Sequence, residues 1–246
     1  MKTPTRQKVR KTCLLIFFLI FPMTMNYYSP YLSTTGVAKG ILSGSFLFWA
    51  IYMVAALFLG RAGCGWICPL AGLQEPWEWA AHKPLKKIRF LHWFKYLVWG
   101  LWIAGIAFGF TQHTGTFKVE PFYLTENVVS WDSLRGNFIY YAMFGLVLLF
   151  TVPLGKRGFC KYGCFFAPMN MLGTKIRNSF GIRPSLQLKA SPDDCNECGR
   201  CDKACTMSLN VTEMAKSGDM TEIECILCGE CVDTCPKKAL RFSWHR

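Results

Sequence analysis

Apolar residues fall in blocks along this chain rather than in alternation or in one helical stripe, and four blocks stand out. Residues 41–60 (ILSGSFLFWAIYMVAALFLG) are uncharged throughout, which at helical rise is about 30 Å and matches the hydrocarbon core of a bilayer. Residues 91–110 carry only Lys95, near one end where it can snorkel, and residues 137–154 carry no charge. Residues 12–29 are weaker, because the apolar part is short, Pro22 interrupts it and basic residues precede it. The blocks predict an α-helical membrane protein with four transmembrane helices. The 12–29 block also fits a secretory signal peptide, with small residues at Gly36, Val37 and Ala38. A retained helix is preferred, since Tyr27 and Tyr28 sit where an interfacial aromatic belt would and no A-x-A site follows.

Charge orients these blocks. Segments 1–11, 61–90 and 155–190 hold 17 Lys and Arg residues, whereas the intervening connections hold only Lys39, Lys118 and Arg135. By the positive-inside rule the first set is cytoplasmic, which predicts a multi-pass protein of the inner (cytoplasmic) membrane with its N-terminus in the cytoplasm. The net charge of +13 then has a topological cause. Membrane lipid is the expected partner and nucleic acid is not. Residues 191–246 carry ten acidic and seven basic side chains, so the basicity belongs to a membrane domain, 1–190, and a second, cytoplasmic domain spans 191–246.

The chain has 13 cysteines, and a reducing cytosol argues for metal ligation over disulfides. Residues 195–205 read CNECGRCDKAC and residues 225–236 read CILCGECVDTCP. Each is the C-x2-C-x2-C-x3-C run of bacterial ferredoxins, in which three close thiolates hold one cluster and the fourth reaches across to the other. On that pattern Cys195, Cys198, Cys201 and Cys235 ligate one 4Fe-4S cluster, and Cys225, Cys228, Cys231 and Cys205 ligate a second, in a small α+β domain. A constant offset of thirty residues between the runs marks an internal duplication. Paired zinc sites are the alternative, but zinc does not call for a third and fourth cysteine at fixed spacing. Thr206 follows the first run where Pro is usual, while Pro236 is present in the second.

Two further thiol pairs end the second and fourth apolar blocks. Cys64 and Cys68, and Cys160 and Cys164, are each four apart, and both cysteines repeat at an offset of 96 residues. Each pair follows a Leu-Gly step and basic residues: Leu59, Gly60 and Arg61, then Leu154, Gly155, Lys156 and Arg157. The four spans therefore read as two hairpins in parallel repeat. Three uses compete: apolar packing, a redox dithiol with unusual spacing, and a third 4Fe-4S site held by Cys64, Cys68, Cys160 and Cys164. Gly63, Gly65 and Gly163 suit close approach to a bulky cluster, and Arg61, Lys156, Arg157 and Lys161 would offset its charge.

GRAGCGWICPLAG, RGFCKYGCFFAP and the paired cysteine runs resemble the NapH-type membrane-bound 4Fe-4S ferredoxins, four-helix proteins related to the nitrous-oxide-reductase regulator and to cytochrome-oxidase assembly ferredoxins. The resemblance covers nearly the whole chain and implies oxidation of membrane quinol, or a related transfer, with electrons handed to another redox protein. Phe165 departs from it, standing where C-x3-C-P would place Pro. The chain is also too short for the extra periplasmic flavin domain of the nitrous-oxide regulator.

Other chemistry is not supported. There is no C-x2-C-H haem motif, no P-loop and no dinucleotide fingerprint, and His82, His92, His113 and His245 offer no pair at one depth to hold a haem. Electrons bound for the periplasm would need a haem-carrying partner, for which the external connection 111–136 is long enough. Residues 71–90 interleave Trp77 and Trp79 with Lys83, Lys86, Lys87 and Arg89, as in a helix lying on the membrane surface. The same stretch is a candidate wall of a quinone slot, with Glu75, Glu78 or His82 taking the proton. The expected function is electron transfer, as a subunit of an oxidoreductase complex and a candidate quinol dehydrogenase. The alternatives are an assembly or regulatory factor for a respiratory metalloenzyme, and a store that delivers metal.

Overall fold

The computed structural model describes residues 4–81, 88–113, 115–123 and 138–245. Helix α1 (Thr5–Leu19) breaks at Ile20, and the chain resumes through α2 (Phe21–Thr24) and a 3-10 turn at Met25–Tyr28, bent by 59° from α1. Pro22 sits in the first turn of α2, where its missing N–H costs no helical bond. Ser29 caps α3 (Pro30–Ala38) by accepting from the Leu32 amide, and Ser43 caps α4 (Gly44–Leu59) by accepting from the Phe46 amide. Between them lies β1 (Ile41–Ser43), and α4 ends at Gly60, whose φ of +57° is left-handed backbone. Then follow α5 (Ala62–Trp66), α6 (Pro69–Ala81) and α7 (Arg89–Gln112). Strand β2 (Lys118–Glu120) pairs in parallel with β1. Helix α8 (Phe138–Leu154), a π turn at Phe159–Gly163 and α9 (Ala167–Phe180) complete the first domain.

The helix that follows each thiol pair packs on the helix that precedes the other pair: α6 lies against α8, and α9 against α4. A Cβ on Gly173 of α9 would come within 2.9 Å of the Ala56 Cβ of α4, so these helices touch almost backbone to backbone. This exchange brings the two thiol turns together over a shared aromatic core, where Trp49 stacks on Phe166 at 3.7 Å and Trp102 meets both edge-on.

The expectation of four transmembrane helices, and with it of two spanning hairpins, is corrected. Among the described residues only Phe90–Gln112 is long and apolar enough to cross a membrane, with the bent α1–α2 segment as a second if it counts as one span. The uncharged run 41–60 spends its first residues on β1 and stops at Gly60, leaving 16 helical residues, about 24 Å at 1.5 Å each. The last block yields 17 residues before Gly155. Apolar length was legible in the sequence; helical length was cut by caps and turns. Tyr28 is also not part of a belt, since its ring packs inside against Phe48, Trp49 and Phe21.

The second domain is a two-stranded sheet with three short helices. Strand β3 (Ser185–Ala190), expected in the first domain, pairs antiparallel with β4 (Leu240–His245), so this sheet draws in residues from 185 on. Helices α10 (Arg200–Ala204), α11 (Val211–Ser217) and α12 (Glu230–Thr234) lie between, over a core of Leu188, Val211, Met220, Leu227 and Leu240.

Candidate metal-cluster sites

The thirty-residue duplication of the second domain is repeated in its backbone. Left-handed φ angles occur at Glu197 and Leu227, at Gly199 and Gly229, and at Ser208 and Lys238, each pair thirty positions apart. For Glu197 and Leu227 this conformation is costly in isolation. Here it curls each C-x2-C-x2-C loop around a cavity. One cavity is lined by Cys195, Cys198, Cys201 and Cys235, the other by Cys205, Cys225, Cys228 and Cys231. Backbone amides turn inward: those of Leu227 and Glu230 reach the Cys225 and Cys228 sulfurs, and that of Leu209 lies 3.4 Å from Cys205 Sγ. Thr206, in the position where Pro was expected, is buried with its hydroxyl 3.6 Å from Cys228 Sγ.

Among the described residues no three Cys, His, Asp or Glu side chains stand close enough to hold a single metal ion. Tetrahedral zinc at about 2.3 Å from each sulfur would need sulfurs roughly 3.8 Å apart. Four thiols spaced around a cavity, with amides aimed at them, fit a polynuclear cluster better. Burial pushes the Cys225 thiol up to about 12 and Cys205 to about 11. These sulfurs hold their protons until a metal displaces them.

Cys64 lies in α5 and Cys68 just before α6; Cys160 lies in the π turn and Cys164 just after it. Burial raises the Cys68 and Cys164 thiols; Cys64, Cys160 and Cys164 raise Cys68 further, and Cys160 and Cys64 raise Cys164. The group has two sides. Cys68 and Cys164 join the aromatic core, while Cys64 and Cys160 pack against Met207, Ile226 and Cys228 of the second domain. On that second side polar groups meet the sulfurs: Gln74 Nε2 lies 3.1 Å from Cys160 Sγ, and Asn170 Nδ2 3.5 Å from Cys64 Sγ.

The two domains are locked at this point. A Cβ on Gly65 would collide with the Ile226 carbonyl oxygen, so only glycine allows the contact. Trp66 Nε1 donates to the Leu227 carbonyl at 3.0 Å, and Gln7 Nε2 to that of Cys228 at 3.1 Å. Glu224 is nearly buried and receives Arg61 at 2.8 Å, Lys95 of α7 at 2.6 Å and His92 at 2.9 Å. Burial works against its charge, yet Arg61 and Lys95 hold the carboxyl down at about 2. Arg61 and Arg157, expected to screen a cluster, are thus engaged by carboxylates; Lys161 instead reaches the Met207 carbonyl. The sequence reading missed Gln7, Arg10, Gln74, Asn170 and Glu224. Arg10, wholly buried, lies in the segment 1–11 whose basic residues were read only as an orienting charge.

Glu75 takes a different place from the proton acceptor envisaged for it. Arg10 and Arg157 clasp it at 2.6 Å each, and although burial pushes the carboxyl up, Arg157 and Arg10 bring it below its ordinary value. It anchors α1 to the second thiol turn. The side chain of Glu78 and the whole of His82 lie outside the described residues, as does most of the 111–136 connection. An apolar cavity reaches the start of α6 at Leu70 rather than the Glu75–His82 stretch. About 340 Å³ opens where the chain bends after α1, lined by Phe21, Met25, Asn26, Tyr28, Leu70, Phe165 and Phe166 among others. Leu70 follows Cys68 by two residues, and Phe165 follows Cys164 directly.

Comparison with known proteins accords with this geometry. The 4Fe-4S binding domain matches twice, at residues 44–89 and 137–183, covering both thiol turns, and the 4Fe-4S dicluster domain matches residues 194–240. An uncharacterized protein of Methanocaldococcus jannaschii is 29% identical over 97% of this chain and 96% of its own length. YccM of Escherichia coli, named for electron transport, is 24% identical over 88% of this chain and 60% of its own length. The methylamine utilization ferredoxin-type protein MauN of Methylobacillus flagellatus is 26% identical over 70% of this chain and 56% of its own. No solved structure matches the chain. The chain carries ferredoxin-type 4Fe-4S domains and is homologous to ferredoxin-type electron-transport proteins.

Proposed function

We propose that this protein relays single electrons from a membrane quinol to another redox protein, in the manner of the NapH-type ferredoxins it resembles. The observation that carries the reading is the packing of Cys64 and Cys160 in one cluster with Ile226 and Cys228, which joins the thiols of the first domain to the dicluster domain. Three 4Fe-4S clusters are assigned: one on Cys64, Cys68, Cys160 and Cys164, one on Cys205, Cys225, Cys228 and Cys231, and one on Cys195, Cys198, Cys201 and Cys235. When bound, such clusters supply one-electron chemistry at potentials set by the protein. The residues order the path. The apolar cavity beside Tyr28, Leu70 and Phe165 receives the lipophilic donor next to Cys68 and Cys164; the Cys64 and Cys160 side faces the dicluster domain; and Cys198, exposed at the surface, marks the exit to a partner.

The inner membrane is the proposed location. Helix α7 supplies a span, and large apolar side chains of α1, α4, α7 and α8 face outward, among them Leu15, Ile51, Leu97, Leu101 and Leu149. The test is anaerobic mixing of the purified protein with a short-chain quinol while cluster absorption is followed. Bleaching within seconds, abolished by Cys64→Ala/Cys160→Ala while dithionite still reduces the remaining clusters, is expected. Equal bleaching in the variant would remove the membrane-side thiols from the path.

A further inference from the structure

Gln74 and Asn170 are the same device built twice. They stand 96 residues apart, the offset that relates Cys64 to Cys160 and Cys68 to Cys164, and each lies six positions beyond the second cysteine of its own pair. Their amides cross over: Gln74, in the first repeat, donates to Cys160 of the second, and Asn170, in the second, donates to Cys64 of the first. Both side chains are 1% exposed. The amide nitrogen of Gln74 also donates to the Leu70 carbonyl at 3.0 Å, which fixes its orientation, because the flipped oxygen would face two acceptors. Its own Oε1 meets no hydrogen-bond partner among the described residues. A buried amide with an orphaned oxygen is a poor choice for stability alone, and the fold makes that choice where a sulfur needs a donor.

We propose that the side-chain amides of Gln74 and Asn170 set the reduction potential of the membrane-side cluster by hydrogen-bonding the sulfurs of Cys160 and Cys64. The inference rests on the assignment of a cluster to Cys64, Cys68, Cys160 and Cys164. Hydrogen bonds to cluster sulfurs stabilise the extra negative charge of the reduced state and so raise the potential. Both sulfurs that accept these bonds, Cys160 and Cys64, fall on the side facing Ile226 and Cys228, whereas Cys68 and Cys164 sit in aromatic surroundings. Added charge is therefore drawn toward the dicluster domain. Gln74 and Asn170 act through the cysteines and are positioning residues.

The test is an anaerobic redox titration of the purified full chain followed by electron paramagnetic resonance, with iron counted per chain. The variants are Gln74→Met, Asn170→Leu and their double, with Asn170→Ser as a variant that keeps a donor. About twelve irons are expected in each, on four per site. One cluster's midpoint should move to more negative potential in each single variant, further in the double and least in Asn170→Ser, while the other two midpoints stay fixed. Unmoved midpoints at full iron content overturn the proposal, as does an equal movement of all three. Loss of four irons from both Asn170 variants overturns it too, since the amide would then hold the site together rather than tune it. About eight irons in the unmodified protein would instead sink the third-cluster assignment itself, a result the iron count separates from the others.

Discussion

Glu224→Gln tests whether one buried carboxylate holds the second domain on the first. Glu224 directly precedes Cys225 and faces Arg61 of the first thiol turn together with Lys95 and His92 of α7. Its carboxyl falls from an ordinary 4.5 to about 2, which at roughly 1.4 kcal/mol per pH unit is about 3 kcal/mol of interaction. Removing one partner of a buried ion pair costs about 3–5 kcal/mol by a separate route, because Arg61 and Lys95 would be left buried without a counter-charge. The two agree, and about 3 kcal/mol is roughly a hundredfold in an opening equilibrium. Amide hydrogen exchange at residues 61–68 and 222–229 should therefore run about a hundred times faster in the variant, while α11, packed inside the cluster domain, keeps its protection. A change under about threefold with the clusters intact would refute the reasoning. The pH dependence carries a sign. A carboxyl whose folded value is depressed contributes fully above its unfolded value, so the difference between wild type and variant should be complete above about pH 4.5 and shrink as pH falls toward 2.

Gly65→Ala should be tolerated by α5 as a helix and yet push the Ile226 carbonyl away, at an overpacking cost of about 1–3 kcal/mol; slower passage of electrons from quinol to the dicluster domain, at unchanged iron content, is the expected readout. Leu70→Trp should fill the cavity beside Cys68 and block reduction by quinol while leaving reduction by dithionite intact; a normal quinol rate would place the donor elsewhere. Glu75→Gln should act as a structural lesion, removing the carboxylate that Arg157 reaches and leaving Arg10 with Glu230, so that thermal unfolding shifts down above about pH 4.5 and the difference shrinks as pH falls. A pure change in the pH profile of quinol oxidation, with unchanged unfolding, would restore Glu75 to proton transfer.

The cysteine spacings were legible because cluster binding is local: a loop that wraps a cluster needs its thiols three and four residues apart whatever surrounds it. The two kinds of repeat were legible for the same reason, since an offset of thirty or of 96 can be counted along the chain. The number of spans was not. A run of uncharged residues states what a segment can dissolve in, but Ser43, Gly60 and the break at Ile20 decide how much of it is helix. Nor could the sequence show that α6 packs on α8 and α9 on α4, and that exchange is what makes Gln74 and Asn170 meet each other's cysteines. Buried charge was equally hidden. Arg10 read as an orienting charge, Arg157 as a counter-charge to a cluster and Glu75 as a proton acceptor, and only their meeting from three distant segments removes them from water together, because a charge is buried at tolerable cost only when its partner arrives with it. The cysteine runs can be counted along the chain; the hydrogen-bond donors beside their sulfurs and the cavity next to them follow from which helices cross.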